Sequence, residues 1–233
     1  MKKIIYEGQV KGFPLLKIQT EEIVNLIQRG SIRFNSLKLY RNLYNQYGDK
    51  TIGDPNEGKF FIHNGIIQIP MANVNEEVND YYISTANEND FVFCLFGINP
   101  QKYSSFSFSE EQKKKLIDFH EKALLITDAQ EFCKRLYAAA SKQNLKITNG
   151  FVHYYDPTTD DASRLCGLVM NGAESIVYHK TNDYEYQQEF RFAIPNNTGE
   201  DYIDLQIGDI SDITQIFTTE QVLFNSVIKK STD

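Results

Sequence analysis

Residues 91–98 read Phe91-Val92-Phe93-Cys94-Leu95-Phe96-Gly97-Ile98. Successive side chains of a strand point to opposite faces, so a near-continuous apolar run of this kind suggests a strand buried on both. On its N-terminal side a further strand is expected at 80–84. Before that, 60–63 and 66–69 flank Asn64-Gly65, the strongest short hairpin signal. On its C-terminal side, Ser109 and Gln112 have capping-box spacing ahead of a helix near 110–122. Asp128 and Glu131 make a similar start for a helix at 129–142, with a short strand at 123–126 between the two helices. Strands are expected at 145–155, 175–179, 187–194, 202–207 and 213–217, then a helical turn near 219–224.

Toward the N-terminus, 3–10 reads as a strand. Thr20 opens a helix through Arg29 with Ile23, Leu26 and Ile27 on one face, and Gly30 stops it. Residues 31–34 are strand-like, and 36–47 carry Leu37, Tyr40, Leu43 and Tyr44 at helical spacing until Gly48. Residues 48–58 form a turn-rich loop of glycines and carboxylates. Strands run together with helices inserted in groups, without strict alternation. That pattern predicts an α+β fold with a mixed, mainly antiparallel sheet, about four helices and a single domain over 1–233.

The 233 residues are 41% hydrophobic and 24% charged, the balance of a globular chain and not of a disordered one. Aromatic content rests on 14 Tyr and 16 Phe with no Trp, which leans toward sheet. The formal net charge of −7 argues against a broad phosphate-binding surface of the kind nucleic-acid binders carry. Cys94, Cys133 and Cys166 are far apart and odd in number, which points to a reducing, cytoplasmic setting. No stretch approaches the roughly 18–20 apolar residues of a membrane span, and no signal peptide is read. His63, His120, His153 and His179 are scattered without zinc spacing, so no metal is expected.

The chemistry-bearing stretch is Tyr184-Glu185-Tyr186-Gln187-Gln188-Glu189-Phe190-Arg191-Phe192-Ala193-Ile194. Read with period two, Tyr186, Gln188, Phe190, Phe192 and Ile194 share one face. Glu185, Gln187, Glu189 and Arg191 share the other, about 7 Å apart per step. The bland reading is a solvated ladder of charges. The functional reading makes Glu189 a site carboxylate flanked by Gln187 and Arg191. A second cluster joins Arg41 to Asp49, Asp54 and Glu57. Its bland reading is a solvated turn. Glu57-Gly58-Lys59 also has the form of the E-x-K half of a magnesium-dependent nuclease.

Three fragments together resemble a group of bacterial and phage-associated domains of unknown function. They are Phe34 to Arg41, then Gly53-Asp54-Pro55-Asn56-Glu57-Gly58, then Lys180 followed by Tyr184, Glu189 and Arg191, with Gln187 where that group has a first glutamate. The Gln-x-Glu element is also similar to one branch of the ADP-ribosyltransferases. That likeness implies NAD as substrate, with Glu189 and Gln187 as the catalytic pair and Glu189 stabilising positive charge on the ribose. Arg41, Lys180, Arg191 and Tyr184 would then hold the cofactor, the cations on its pyrophosphate. Asp54 and Glu57 would pair with those cations. The alternative is a non-catalytic module that binds a nucleotide or a protein partner through the same residues.

Overall fold

The apolar run becomes strand β7 (Phe91–Gly97), buried on both faces except at the half-buried Cys94. The computed structural model describes residues 12–48, 53–63, 65–69, 73–78, 81–83, 89–98, 105–158, 173–225 and 228–229. Along one edge, β7 pairs antiparallel with β13 (Glu189–Ile194), from Glu189 opposite Phe96 to Ile194 opposite Phe91. Its other edge is shared by two strands. β1 (Leu15–Gln19) meets it only at Gly97 and Phe96, and β2 (Ser31–Ser36) only at Val92 and Phe91. In the described ladders Phe93, Cys94 and Leu95 therefore have no strand beside them on that edge.

The two arms then part. β1 runs along β9 (Lys122–Ile126), which pairs with β15 (Thr214–Thr218), while β2 runs along β14 (Tyr202–Gln206). With β10 (Thr148–Phe151) beside β13, this makes an eight-stranded antiparallel sheet that forks at β7. Smaller pairs are β3 (Phe60–Ile62) with β6 (Tyr81–Ile83), β4 (Gly65–Ile69) with β5 (Val74–Val78), and β8 (Ser105–Phe106) with β16 (Ile228–Lys229). A parallel pair, β11 (His153–Tyr155) with β12 (His179–Thr181), makes the set mixed but mainly antiparallel, and the α+β expectation holds.

Helix α1 (Glu21–Gln28) bridges the arms of the fork. Thr20 Oγ1 accepts from Ile23 N, and Glu21 and Glu22 sit in the first turn, where the helix dipole favours them. After it Gly30 has φ +92°, and a Cβ there would lie 2.1 Å from the Gly208 carbonyl oxygen. Only glycine lets the two turns close on each other. Helix α2 (Leu37–Tyr47) starts on the Ser36 cap and ends at Gly48 in the left-handed region. Helix α3 (Glu110–Leu116) has the capping box of Ser109 and Gln112, and α4 (Ala129–Lys142) the Asp128 cap. Helix α5 (Thr219–Asn225) closes the set.

One face of the sheet carries the main core. Phe190, Phe192 and Ile194 of β13 and Phe93 and Leu95 of β7 pack against Phe132 and Leu136 of α4 and Val24 and Ile27 of α1. Each such fully buried side chain is worth about 1.5–3 kcal/mol of transfer free energy. Among the described residues the opposite face holds two smaller apolar clusters. One gathers Leu16, Phe96 and Leu125 under α3 and α5, the other Val92, Ala193 and Val177 under α2. Between them β13 places Glu189 beside Phe96 and Arg191 beside Cys94.

Several expectations are corrected. The hairpin expected from 60–63 and 66–69 does not form: β3 takes β6 as partner, and β4 takes β5. On α1 the buried positions are Val24 and Ile27, while Ile23 and Leu26 are 38% and 41% exposed. The strand expected at 145–155 is two strands: Thr148–Phe151 runs along β13, the Val152 N–H still donating to the Glu189 carbonyl, and His153–Tyr155 then pairs with β12. The stretch at 175–179 is mostly a tight 3₁₀ turn, Ala173–Tyr178. A second such turn, Asn182–Gln187, and Gln188 at φ +41° delay the last of the affected strands to Glu189. Strand β1 was not anticipated. The strand expected at 3–10, together with Asp49, Asn64 and Cys166, lies outside the described residues.

Candidate functional site

Strand β13 has no solvent face. Behind the apolar residues that feed the core, Glu189 and Arg191 are 7% and 1% exposed, so the solvated-ladder reading fails. Arg191 donates through Nε to Glu189 Oε2 at 2.7 Å and through Nη1 to Glu57 Oε1 at 2.6 Å. Lys180 Nζ lies 2.8 Å from Glu189 Oε1 and 3.4 Å from Glu57 Oε2. Two carboxylates and two cations thus alternate in a closed ring, all four side chains buried. Arg191 also donates to the Val177 carbonyl, and Lys180 Nζ to Gln187 Oε1 at 2.8 Å while lying over the Tyr184 ring. Neutralised within itself and hydrogen-bonded at its edges, the ring satisfies the conditions under which buried charges persist.

The ring is assembled from three distant segments. β13 supplies Glu189 and Arg191, β12 supplies Lys180, and the 53–58 loop supplies Glu57. That loop crosses α2 so closely that a Cβ on Gly53 would lie 2.6 Å from the Tyr40 carbonyl oxygen and the Tyr44 nitrogen. Arg41 on α2 fixes its far end by donating to the Glu57 carbonyl at 2.6 Å, and it also donates to Asn89 Oδ1 at 2.7 Å. Asp54 and Glu57 are 2% and 3% exposed, so the bland reading of a solvated turn fails for them too. The E-x-K reading does not assemble: Glu57 turns into the ring, whereas Lys59 lies over the ring of Tyr82.

Burial alone would raise the Glu189 pKa, but Arg191 and Lys180 override it and hold the carboxyl well below the usual carboxylate range. Burial likewise opposes the charges of Lys180 and Arg191, and the two glutamates more than reverse that. Asp54 moves the other way. Burial first, then the charge of Glu57, push it from 3.8 to about 6. A carboxyl whose folded value is raised contributes its full stability below the unfolded value, and that contribution is lost as pH rises through the folded one. Asp54→Asn is therefore expected to raise stability at pH 8 by roughly 2–3 kcal/mol more than at pH 3.5. Urea denaturation at the two pH values checks this, and an equal gain at both would refute it.

A cleft of about 570 Å³ opens along the fork of the sheet. Its outer lining includes Ile23 and Leu26 of α1, and its buried charged lining is Glu57, Lys180, Glu189 and Arg191, with Gln187 beside them. β1 contributes Lys17, Ile18 and Gln19, β2 contributes Arg33 and Asn35, and Phe93 to Phe96 of β7 lie between. Of the residues singled out in the sequence, Glu57, Lys180, Gln187, Glu189 and Arg191 line the cleft. Arg41, Asp54 and Tyr184 support it from outside its described lining. Lys17 and Cys94 were missed. The Cys94 thiol, pushed up to about 12 by burial and then by Glu189, stays protonated and unreactive. The available signal for Lys17 was a single lysine within Leu15-Leu16-Lys17-Ile18-Gln19, directly before the Thr20 cap.

Fold and site together define an α+β protein with a forked antiparallel sheet and a cleft that ends on a ring of buried ion pairs. No helix among the described residues is long and apolar enough to cross a membrane. Among them, too, no group of three or more metal-ligating side chains converges. Compared with protein-family models, with curated proteins and with solved structures, the chain yields no match.

Proposed function

We propose that this protein is a binding module for a nucleotide-sized ligand, which occupies the cleft along the sheet fork. The observation that carries the reading is the cleft itself. Its volume falls within the range of small-molecule sites, and such sites are mostly apolar with a few fixed polar groups. Here the fixed groups are Gln187 and the ring, held by hydrogen bonds before any ligand arrives, so little ordering remains to be done on binding.

ADP-ribosyl transfer is the second reading. It is favoured by one observation: Gln187 and Glu189 both line the cleft and are joined through Lys180 Nζ. It ranks second because both Glu189 oxygens are already held by cations, which cancel the field that would stabilise a positive ribose.

Thermal shift with NAD, ADP-ribose and AMP tests both readings. At ten times Kd a ligand adds about 1.4 kcal/mol, a rise of about 3–5 °C for a chain of this size. Leu26→Trp, which fills the exposed part of the cleft without touching the ring, is expected to keep the basal Tm and lose the rise. Absence of any shift in the unaltered protein would reject the nucleotide reading. Nicotinamide release from NAD would move the transferase reading to first place.

A further inference from the structure

Four of the described residues that line the cleft are lysines or arginines: Lys17, Arg33, Lys180 and Arg191. Three are matched by carboxylates. Arg33 makes two hydrogen bonds to Asp204 at 2.8 and 2.9 Å, and Lys180 and Arg191 belong to the ring. Lys17 has no carboxylate within ion-pair distance among the described residues. Its Nζ donates to the Cys94 carbonyl at 2.8 Å and lies 5.3 Å from the centre of the Phe93 ring. An ammonium carries three N–H donors, so this contact leaves two for a ligand.

The fork explains the placement. Where β1 leaves β7, no strand among the described residues meets Cys94 on the edge away from β13, and Lys17 reaches into the gap. Burial pushes its pKa below the ordinary lysine value, against smaller opposing influences of Cys94 and Glu189. A cation held this way, close to a carboxylate already neutralised by others, gains most from an added anion.

We propose that Lys17 is the seat for the phosphate group of the ligand, so that the cleft takes a phosphate-bearing small molecule. The assignment rests on the cleft being the ligand site, and it moves the anion away from Lys180 and Arg41, where the sequence had placed it. A phosphate at Lys180 would face the carboxylates of Glu57 and Glu189, whereas at Lys17 it meets an unmatched charge. His120, also in the lining, is held below its usual value by burial and by the nearby Lys17, against an opposing influence of Glu121. Ile23 and Leu26 remain for the apolar body of the ligand.

Two measurements on the full chain separate this assignment from the nucleotide reading. In the first, protein labelled with 13C,15N-lysine, its Lys17 signals assigned from Lys17→Arg, is titrated with inorganic pyrophosphate. A saturable shift of the Lys17 ε-methylene and Nζ signals is expected. No shift at millimolar pyrophosphate, or one matched by sodium chloride of equal ionic strength, overturns the assignment. In the second, AMP is compared with adenosine. The unaltered protein is expected to prefer AMP by roughly tenfold or more, the scale of a hydrogen bond to a charged group. Lys17→Gln should erase the preference at unchanged Tm, and Lys17→Arg should keep it. A preference that survives Lys17→Gln, or AMP and adenosine binding equally to the unaltered protein, overturns the assignment. If pyrophosphate moves Lys17 while neither AMP nor adenosine binds, the phosphate seat stands and the nucleotide reading falls.

Discussion

Arg191→Met is expected to remove about 3–5 kcal/mol of unfolding free energy, the usual loss when one partner of a buried ion pair is deleted. Arg191 is 1% exposed and binds Glu189, Glu57 and the Val177 carbonyl at once. Methionine fills much of its volume, so the loss arises from stranding two buried carboxylates beside Lys180 alone. Pairing it with Glu57→Gln removes one of those carboxylates, and the double variant should lose clearly less than the sum of the singles. Urea denaturation at constant m reads all three values. A loss below about 1 kcal/mol for Arg191→Met would mean that the ring is not a compensated network.

The same variant alters the response to acid. In the intact ring Glu189 has a folded pKa below its ordinary 4.5. A depressed carboxyl contributes stability that is present above the unfolded value and is lost as pH falls toward the folded one. The unaltered protein should therefore lose stability steadily below about pH 4.5, and Arg191→Met should show a flatter acid limb.

Phe192→Ala is the second large effect, also about 3–5 kcal/mol, from lost transfer energy plus the cavity left in a core that relaxes only in part. Phe192 is fully buried, with ring contacts to Phe132 at 5.9 Å and Phe190 at 5.3 Å. Phe192→Leu keeps most of the volume and should lose less than half as much, on the order of 1.5 kcal/mol. Because Phe192 is not in the cleft lining, Phe192→Ala should leave ligand affinity unchanged well below its Tm. Equal losses for alanine and leucine would show that the site collapses freely and is not close-packed.

Strand β13 shows how far local pattern carries. The alternation of Phe190, Phe192 and Ile194 with Glu189 and Arg191 was legible, because side-chain direction along a strand has period two whatever surrounds it. The environment of the polar face was not. Glu189 and Arg191 read equally well as a solvated ladder, and what buries them is Glu57 and Lys180, 132 and 9 residues away from Glu189 along the chain. Gln187 was placed on that face for a reason that proved wrong, since Gln188 at φ +41° breaks the period, yet its amide still reaches Lys180. The Asn64-Gly65 signal failed similarly: partner choice was set by which strands met, not by the dipeptide.

By itself the sequence determined where the helices start, the double burial of β7, the α+β class, and the four charged residues of the ring, though the helix expected at 110–122 ends at Leu116. These follow from propensity, capping and periodicity, which act over a few residues. Tertiary structure alone decided that the sheet forks at β7, that Ile23 and Leu26 face a cleft and not the core, that Glu57, Lys180, Glu189 and Arg191 close on one another, and that Lys17 stands unmatched beside Cys94. Whether a charge is solvated, neutralised or left over depends on what lies across from it in space, and strand pairing sets that over distances no local pattern records.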